Sequence, residues 1–285
     1  MQFIKYLFKY YFSKWLISGK VSPSVQLSLT QLGLKYQADA ASGKNIDIAG
    51  AGFSIFSSLE EDGLLFYIIS CLGIKNGCFV DIGSNDCINS NCANLAFNMG
   101  WSGLFIDGDV RNTRIGKKLY TSHRLTQPYK NNFVTATVTP VNINQLLQAE
   151  GVTGEIDFLS IDIDGDDYWI WRAIETISPK IVMIENHVEY GLNDVVVPLD
   201  APKQLRQQHS HYHGASPVAM CKLAARKNYR LIGANRLGFN AIFLRNDIGI
   251  ETFKEIAAAD TLLHPDTIKS FSIFKQVQYL PFLPG

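Results

Sequence analysis

The sequence predicts a doubly wound α/β sheet, and three features predict it. Residues 78–82 and 103–106 are short apolar runs that end in Asp81 and Asp107. Between them, 86–99 suits a helix with Ala93, Leu95, Ala96 and Met99 on or near one face. Strand, glycine turn, helix and strand make the opening of a doubly wound sheet. Two further apolar runs, 156–161 and 180–184, lead into Asp162 and Glu185. Ligands of such sheets sit outside the carboxyl ends of the strands, where all these acids fall.

The other elements follow in order. Residues 1–45 are expected to form a basic, aromatic N-terminal helix and a connector, with one domain over 46–285. The turn residues Ser-Pro-Ser and Ala-Ser-Gly-Lys-Asn place the connector within 21–55. Ser57 or Ser58 can cap a helix through Leu64–Leu72, with Glu60 and Glu61 in its first turn. Residues 110–131 read as an exposed basic helix and loop, 132–137 as a third strand, and 143–147 as a helix after Thr139-Pro140. A helix is expected to start among Asp164, Asp166 and Asp167. Residues 194–210 read as a loop and 216–226 as a helix. Residues 229–232 and 241–244 read as a closing hairpin, and the C-terminal Leu-Pro-Phe-Leu-Pro-Gly as a surface tail.

Bulk properties set the class. With 285 residues, 47% of them apolar, the chain can bury a sizeable core. Its formal net charge of zero implies no nucleic-acid partner. The distribution is uneven, because residues 1–38 hold Lys5, Lys9, Lys14, Lys20 and Lys35 and no acid. The five cysteines form no CxxC pair, which suits reduced thiols in a cytoplasmic protein better than a disulfide framework or zinc site. The lysines break the apolar N-terminus too often for a membrane span or signal peptide. Residues 1–20 are left with two roles: lying in a lipid interface at the inner face of a membrane, or packing on the domain or another subunit of a homo-oligomer.

The acids discriminate among nucleotides. A dinucleotide fold needs G-x-G-x-x-G to bring backbone N–H groups to a pyrophosphate, and Gly83 lacks the other two glycines. Asp81, Asp86, Asp107 and Asp109 would repel phosphate. S-adenosylmethionine carries an ammonium and a sulfonium instead. Asp81 can pair with the ammonium, Asp107 can accept from both ribose hydroxyls, and Gly83 lets the chain pass close by. An ordinary βαβ unit with capping aspartates remains the alternative.

The stretch 162–167 packs four acids at a strand end, more than helix capping explains, because neighbouring carboxylates raise one another's pKa. A cation would relieve them. Asp162, Glu185 and Asn186 offer hard oxygen ligands suited to Mg²⁺, which would lower the pKa of an acceptor hydroxyl. His187 could take the proton, with Asp162 as the second catalytic residue. Shaping the pocket without metal is the alternative for Glu185 and Asn186. His209, His211 and His213 would share a face only in a strand; in a loop, a zinc site is disfavoured and His213 is left as an acceptor contact.

Taken together, Phe56-Ser57…Glu61-Asp62-Gly63, Phe79-Val-Asp-Ile-Gly-Ser, Asn89-Ser-Asn-Cys-Ala-Asn-Leu, Gly103-Leu-Phe-Ile-Asp-Gly and Leu159-Ser-Ile-Asp-Ile-Asp-Gly resemble the FkbM-like methyltransferases. Tyr212-His-Gly-Ala-Ser and Tyr229-Arg-Leu-Ile-Gly-Ala-Asn extend the likeness, which covers about 55–285. The resemblance implies a class I methyltransferase fold, S-adenosylmethionine as donor and often a sugar or glycan hydroxyl as acceptor. Asp81, Gly83, Asp107 and Asp162 match its cofactor-loop and strand-end positions, and Ser84, Asn85 and Gly108 complete the cofactor-binding set. The chain departs at Ser58, where relatives often carry Gln. The Asp162/Glu185-Asn186 pattern is also similar to the metal sites of catechol-type O-methyltransferases. A non-catalytic binding or scaffold protein and a nicotinamide-dependent oxidoreductase are the rival readings.

Overall fold

Strands buried on both faces should read as nearly unbroken apolar runs, and the central strands do. Val80, Ile82, Leu104, Phe105, Ile106, Phe158, Leu159, Ile181, Val182 and Met183 are all buried. The computed structural model describes residues 2–44 and 46–285, with side chains from Tyr10 onward. Its seven strands order as β3-β2-β1-β4-β5-β7-β6, mostly parallel, with an antiparallel edge from the C-terminal hairpin. This is the Rossmann-like, doubly wound arrangement with an antiparallel C-terminal strand that the sequence predicts. The chain divides into two compact units, 1–137 and 138–285.

The first unit holds α1 (Gln2–Lys20), α2 (Pro23–Ala41), α3 (Glu61–Cys71), β1 (Cys78–Ile82), α4 (Ala93–Met99), β2 (Ser102–Asp107), α5 (Val110–Ser122) and β3 (Asn131–Thr135). Its three strands are parallel, with Asp81 beside Phe105 and Asp107 beside Thr135. Residues 21–55 are not the expected connector, because α2 fills most of them, started by Pro23 in its first turn. Pro favours that position, since its missing N–H is one that no helix satisfies.

The helix expected over 86–99 begins only at Ala93. Asn85 and Cys87 sit at φ +49° and +62°, and Asp86 Oδ1 accepts from the N–H groups of Ile88 and Asn89 at 3.2 and 3.0 Å. That side-chain turn competes with the helix and wins. Neither Ser57 nor Ser58 is the N-cap of α3, a place taken by Glu60. Ser57 still serves the helix start, because its Oγ accepts from the Asp62 N–H at 3.1 Å.

The second unit holds α6 (Ile143–Ala149), β4 (Gly154–Ile161), α7 (Asp167–Ala173), β5 (Ile177–Glu185), α8 (Lys203–Gln208), α9 (Pro217–Arg226), β6 (Tyr229–Ala234), β7 (Asn240–Arg245) and α10 (Pro265–Phe274). Strands β4 and β5 are parallel, β7 runs antiparallel to β5 with Asn240 beside Glu185, and β6 and β7 form an antiparallel hairpin. Helix α8 interrupts the expected loop over 194–210. The tail lies at the surface, as expected, and is held there. Leu283 bridges Val196, the Tyr212 hydroxyl donates to the Pro281 carbonyl, and the Gly285 N–H donates to Asp194. Phe282 and α10's Phe274 pack on a cluster of Tyr190, Val197, Tyr212 and Val277. A fully buried apolar side chain such as Val197 or Val277 contributes roughly 1.5–3 kcal/mol by leaving water.

Candidate functional site

In the first unit, the acids at the strand ends are built into the loops around them. Asp81, near the end of β1, is buried, and its Oδ2 accepts from Ser90 Oγ at 2.5 Å. Asp107, the last residue of β2, accepts from the Asn85 N–H at 2.9 Å, the Asp109 N–H at 2.8 Å and Asn112 Nδ2 at 3.2 Å. A carboxylate has about four lone-pair directions, so Asp107 keeps little spare capacity. The Gly83 and Ser84 N–H groups both donate to the Ile106 carbonyl, at 2.9 and 3.1 Å, and Gly83 turns at φ +88°. The Ser84 hydroxyl also donates to that carbonyl, at 3.3 Å. Asn85 and Gly108 are exposed at the tips of these two turns.

A further carboxylate marks the lead-in to this unit. Asp62 is buried, and its Oδ2 accepts three backbone N–H groups, from Ile55, Phe56 and Ser57, at 2.7, 2.5 and 2.9 Å. Its Oδ1 is buried without a partner. Burial raises its pKa against the opposing pull of those hydrogen bonds. The sequence signal was Glu-Asp-Gly at the start of the helix, where the motif was legible but the role of Asp62 was not.

In the second unit, the four acids after β4 separate by role. Asp167 is buried and accepts from the N–H groups of Ile163 and Gly165, each at 2.9 Å, which closes the loop onto the start of α7. Asp166 pairs with Arg206 at 2.9 Å. Asp162 and Asp164 converge with Glu185, each offering an oxygen within 4.8 Å of the others. Asp164 reaches this position by turning through φ +57°, which Asp tolerates better than most residues. It is a candidate ligand absent from the expected set of Asp162, Glu185 and Asn186. Its signal was the repeated acid of Asp-Ile-Asp.

The electrostatics of this cluster are strained. Burial, followed by the charges of Asp162, Asp167, Asp164 and Glu189, pushes the Glu185 carboxyl up to about 9. Glu185 Oε2 is buried without a hydrogen-bond partner. Asn186 spends its Nδ2 on the carbonyls of Gly238 and Phe239, both at 3.0 Å, and its buried Oδ1 has no partner. A carboxylate trio with an orphaned buried oxygen fits a hard divalent cation, whose charge would take the place of the proton that Glu185 otherwise keeps.

His187 follows directly. Its Nδ1 lies 3.2 Å from Glu189 Oε1, while Nε2 is buried without a partner. Its ring packs edge-on against His213, with centroids 4.1 Å apart. Burial, then the charge of His187, lowers the His213 pKa to about 4. Gly214 makes room for His187: a Cβ there would stand 2.0 Å from its Cδ2, at a backbone φ of +70°. The stretch 209–213 is not a strand. His209 packs on Tyr279, His211 lies 3.9 Å from Glu189, and His213 lies on His187. Among the described residues, the acid trio is the one group placed to share a cation.

No family model matches the chain, and no curated protein does. Among solved structures, the chain is similar to the O-methyltransferase from Bacillus cereus in complex with SAH, at 14% identity and TM-score 0.42, over 78% of this chain and 90% of that one. It is similar to a SAM-dependent methyltransferase from Methanosarcina mazei at 14% identity and TM-score 0.39, over 62% and 96% of the two chains. For a putative sarcosine dimethylglycine methyltransferase from Galdieria sulphuraria, the identity is 11% and the TM-score 0.42, over 68% and 74%. With TM-scores this low, functional assignment rests on the chemistry of the chain's own residues.

Proposed function

We propose that the chain is an S-adenosylmethionine-dependent O-methyltransferase of the FkbM-like kind, acting on a hydroxyl of a sugar or glycan. The observation that carries this reading is that each unit places acids at its strand ends, Asp81 and Asp107 in the first and Asp162 and Glu185 in the second, without a phosphate loop. That chemistry suits a cationic, phosphate-free cofactor. Asp81 would hold the methionine ammonium and Asp107 the ribose, with Gly83, Ser84, Asn85 and Gly108 shaping the turns around them.

Asp162 and Glu185, with Asp164 or Asn186, would hold Mg²⁺. When bound, such an ion lowers the pKa of an acceptor hydroxyl. With Glu189 Oε1 at 3.2 Å from Nδ1, the favoured tautomer of His187 carries its proton on Nδ1, and its Nε2 lone pair would take the acceptor's proton. Positioning would supply most of the rate, since methyl transfer needs an in-line approach of about 3–3.5 Å.

One observation favours a second reading, a fold kept for binding rather than turnover: Asp107 already holds three internal hydrogen bonds. Calorimetric titration with S-adenosylmethionine, with and without Mg²⁺, separates the readings, and a survey of sugars with labelled methyl donor then identifies the acceptor. Cofactor binding strengthened by Mg²⁺ supports enzyme and metal together. Binding indifferent to Mg²⁺, with acceptor as well as without, keeps the enzyme and removes the metal. No binding moves the scaffold reading to first place, and binding of a nicotinamide dinucleotide instead would overturn the assignment.

A further inference from the structure

Helix α1 has two unlike faces. Tyr10, Ser13 and Ile17 are buried, with the Tyr10 hydroxyl 3.4 Å from Ser122 Oγ and its ring 4.0 Å from Lys118 Nζ. Lys20 donates to the Ile55 carbonyl and lies over the Phe56 ring. The helix is therefore anchored on the first unit by one side. On the other side, Tyr11, Phe12 and Trp15 are 64%, 47% and 69% exposed, with the rings of Phe12 and Trp15 stacked at 6.0 Å. Three neighbouring aromatics on one anchored helix are not the scattered apolar residues of an ordinary surface. The patch continues into a groove of about 520 Å³ lined by Trp15, Leu16, Val25 and Ile55. The side chains of residues 1–9, part of the segment expected to meet a membrane, lie outside those described.

The two segments that meet beside this patch are basic. No acid occurs in residues 1–38 or in 110–149. Exposed Arg114, Lys117, Lys118 and Arg124 line α5 and the turn after it, next to Tyr10. Lys14 and Arg124 both bear on His123 and, after burial, hold its imidazole below the ordinary range. No described helix is long and apolar enough to cross a membrane. An anchored helix with exposed Trp, Tyr and Phe beside a basic flank suits lying in the headgroup layer. A second copy of the chain suits it less, because a two-fold contact would set this basic face against itself.

We propose that the Tyr11–Phe12–Trp15 face of α1, flanked by the basic side of α5, is a peripheral membrane-binding surface for anionic phospholipid. The proposal is independent of the reading of the acidic sites. The test is co-sedimentation of the full chain with vesicles of phosphatidylcholine alone and of phosphatidylcholine mixed with phosphatidylglycerol, followed by tryptophan emission. Trp101 and Trp171 are buried and Trp169 is half-buried, so the blue shift is assigned to Trp15 by its loss in the variant that lacks this residue.

The expected result is binding to the anionic vesicles alone, weakened by salt, with a blue shift. Replacing Tyr11, Phe12 and Trp15 by Ser should cut binding more than about tenfold while the melting temperature stays within a few degrees. Arg114→Ala with Lys117→Ala should weaken it roughly 25-fold, at about fivefold per charge. Equal binding to both vesicles, no binding, or binding that survives the aromatic triple variant overturns the proposal. So does a triple variant that sediments as a monomer where the parent is a dimer that ignores vesicles.

Discussion

His187 Nδ1 stands 3.2 Å from Glu189 Oε1, and Nε2, on the opposite side of the ring, is buried without a partner. The carboxylate fixes the tautomer that leaves Nε2 able to accept a proton. The bond is reciprocal: burial pushes the Glu189 carboxyl up, yet its hydrogen bond and charge interaction with His187 leave it below the usual range. His187→Ala is expected to lose about 10²- to 10⁴-fold in methyl transfer with cofactor affinity unchanged. Glu189→Gln, which keeps the shape and loses the charge, should lose more than about tenfold in kcat with little change in KM. Rates within a factor of two of the parent in both variants would remove His187 as the base.

Gly214 tests the same histidine from the side of packing. An added methyl would meet His187 at 2.0 Å from backbone that an L-residue rarely adopts. Gly214→Ala should therefore cost more than about 1 kcal/mol of stability, read from the denaturation midpoint. A neutral substitution would mean that the ring moves freely, against its assignment as a positioned base.

Glu185 gives a pH dependence whose sign is fixed. Its folded pKa of about 9 lies above the 4.5 of an ordinary glutamate, so across that window the folded state holds a proton the unfolded chain has lost. Stability of the metal-free protein should fall as pH rises through the window. Melting temperatures measured from pH 5 to about pH 9 should show this decline, and Glu185→Gln should flatten it. Mg²⁺ should flatten it as well, if the trio binds the ion. A parent curve as flat as the variant's would mean that Glu185 is ionised and already compensated.

The strands were legible because burial on both faces forces unbroken apolar runs, and the acids ending those runs were legible for the same reason. What failed to show was decided by side chains bonding to backbone. Asp86 turns its own N–H neighbours and delays α4 to Ala93, although 86–92 carries no glycine or proline. Helix α2 was hidden behind Ser-Pro-Ser, which reads as a turn but starts a helix when proline falls in the first turn. In the acidic loop, composition announced the repulsion but not its division. Only the fold separates Asp167, which closes the loop, and Asp166, which meets Arg206, from Asp162 and Asp164, which face Glu185.

Asp62 is expected to be a structural keystone of the first unit. It gathers three N–H groups from 55–57 onto one buried oxygen, and Ser57 returns a bond to its N–H. Asp62→Ala would strand those donors and should cost about 3 kcal/mol or more, while Asp62→Asn should cost less. Urea unfolding of both variants checks the order. Equal and small losses would show that water can replace the carboxylate.

Asp81 is the most direct test of the cofactor reading, because its environment offers a control. Its Oδ2 takes a 2.5 Å hydrogen bond from Ser90 Oγ, so the carboxylate is held in place before any ligand arrives. Asp81→Asn keeps that contact but loses the charge that would meet the methionine ammonium. It should weaken S-adenosylmethionine binding by roughly 1–3 kcal/mol, a factor of about 5 to 150. Ser90→Ala keeps the charge and loses only the orienting bond, so it should weaken binding less. If calorimetry finds Asp81→Asn unchanged, Asp81 leaves the cofactor site. If Ser90→Ala is the more damaging of the two, the pair serves the turn between β1 and α4 rather than a cationic ligand.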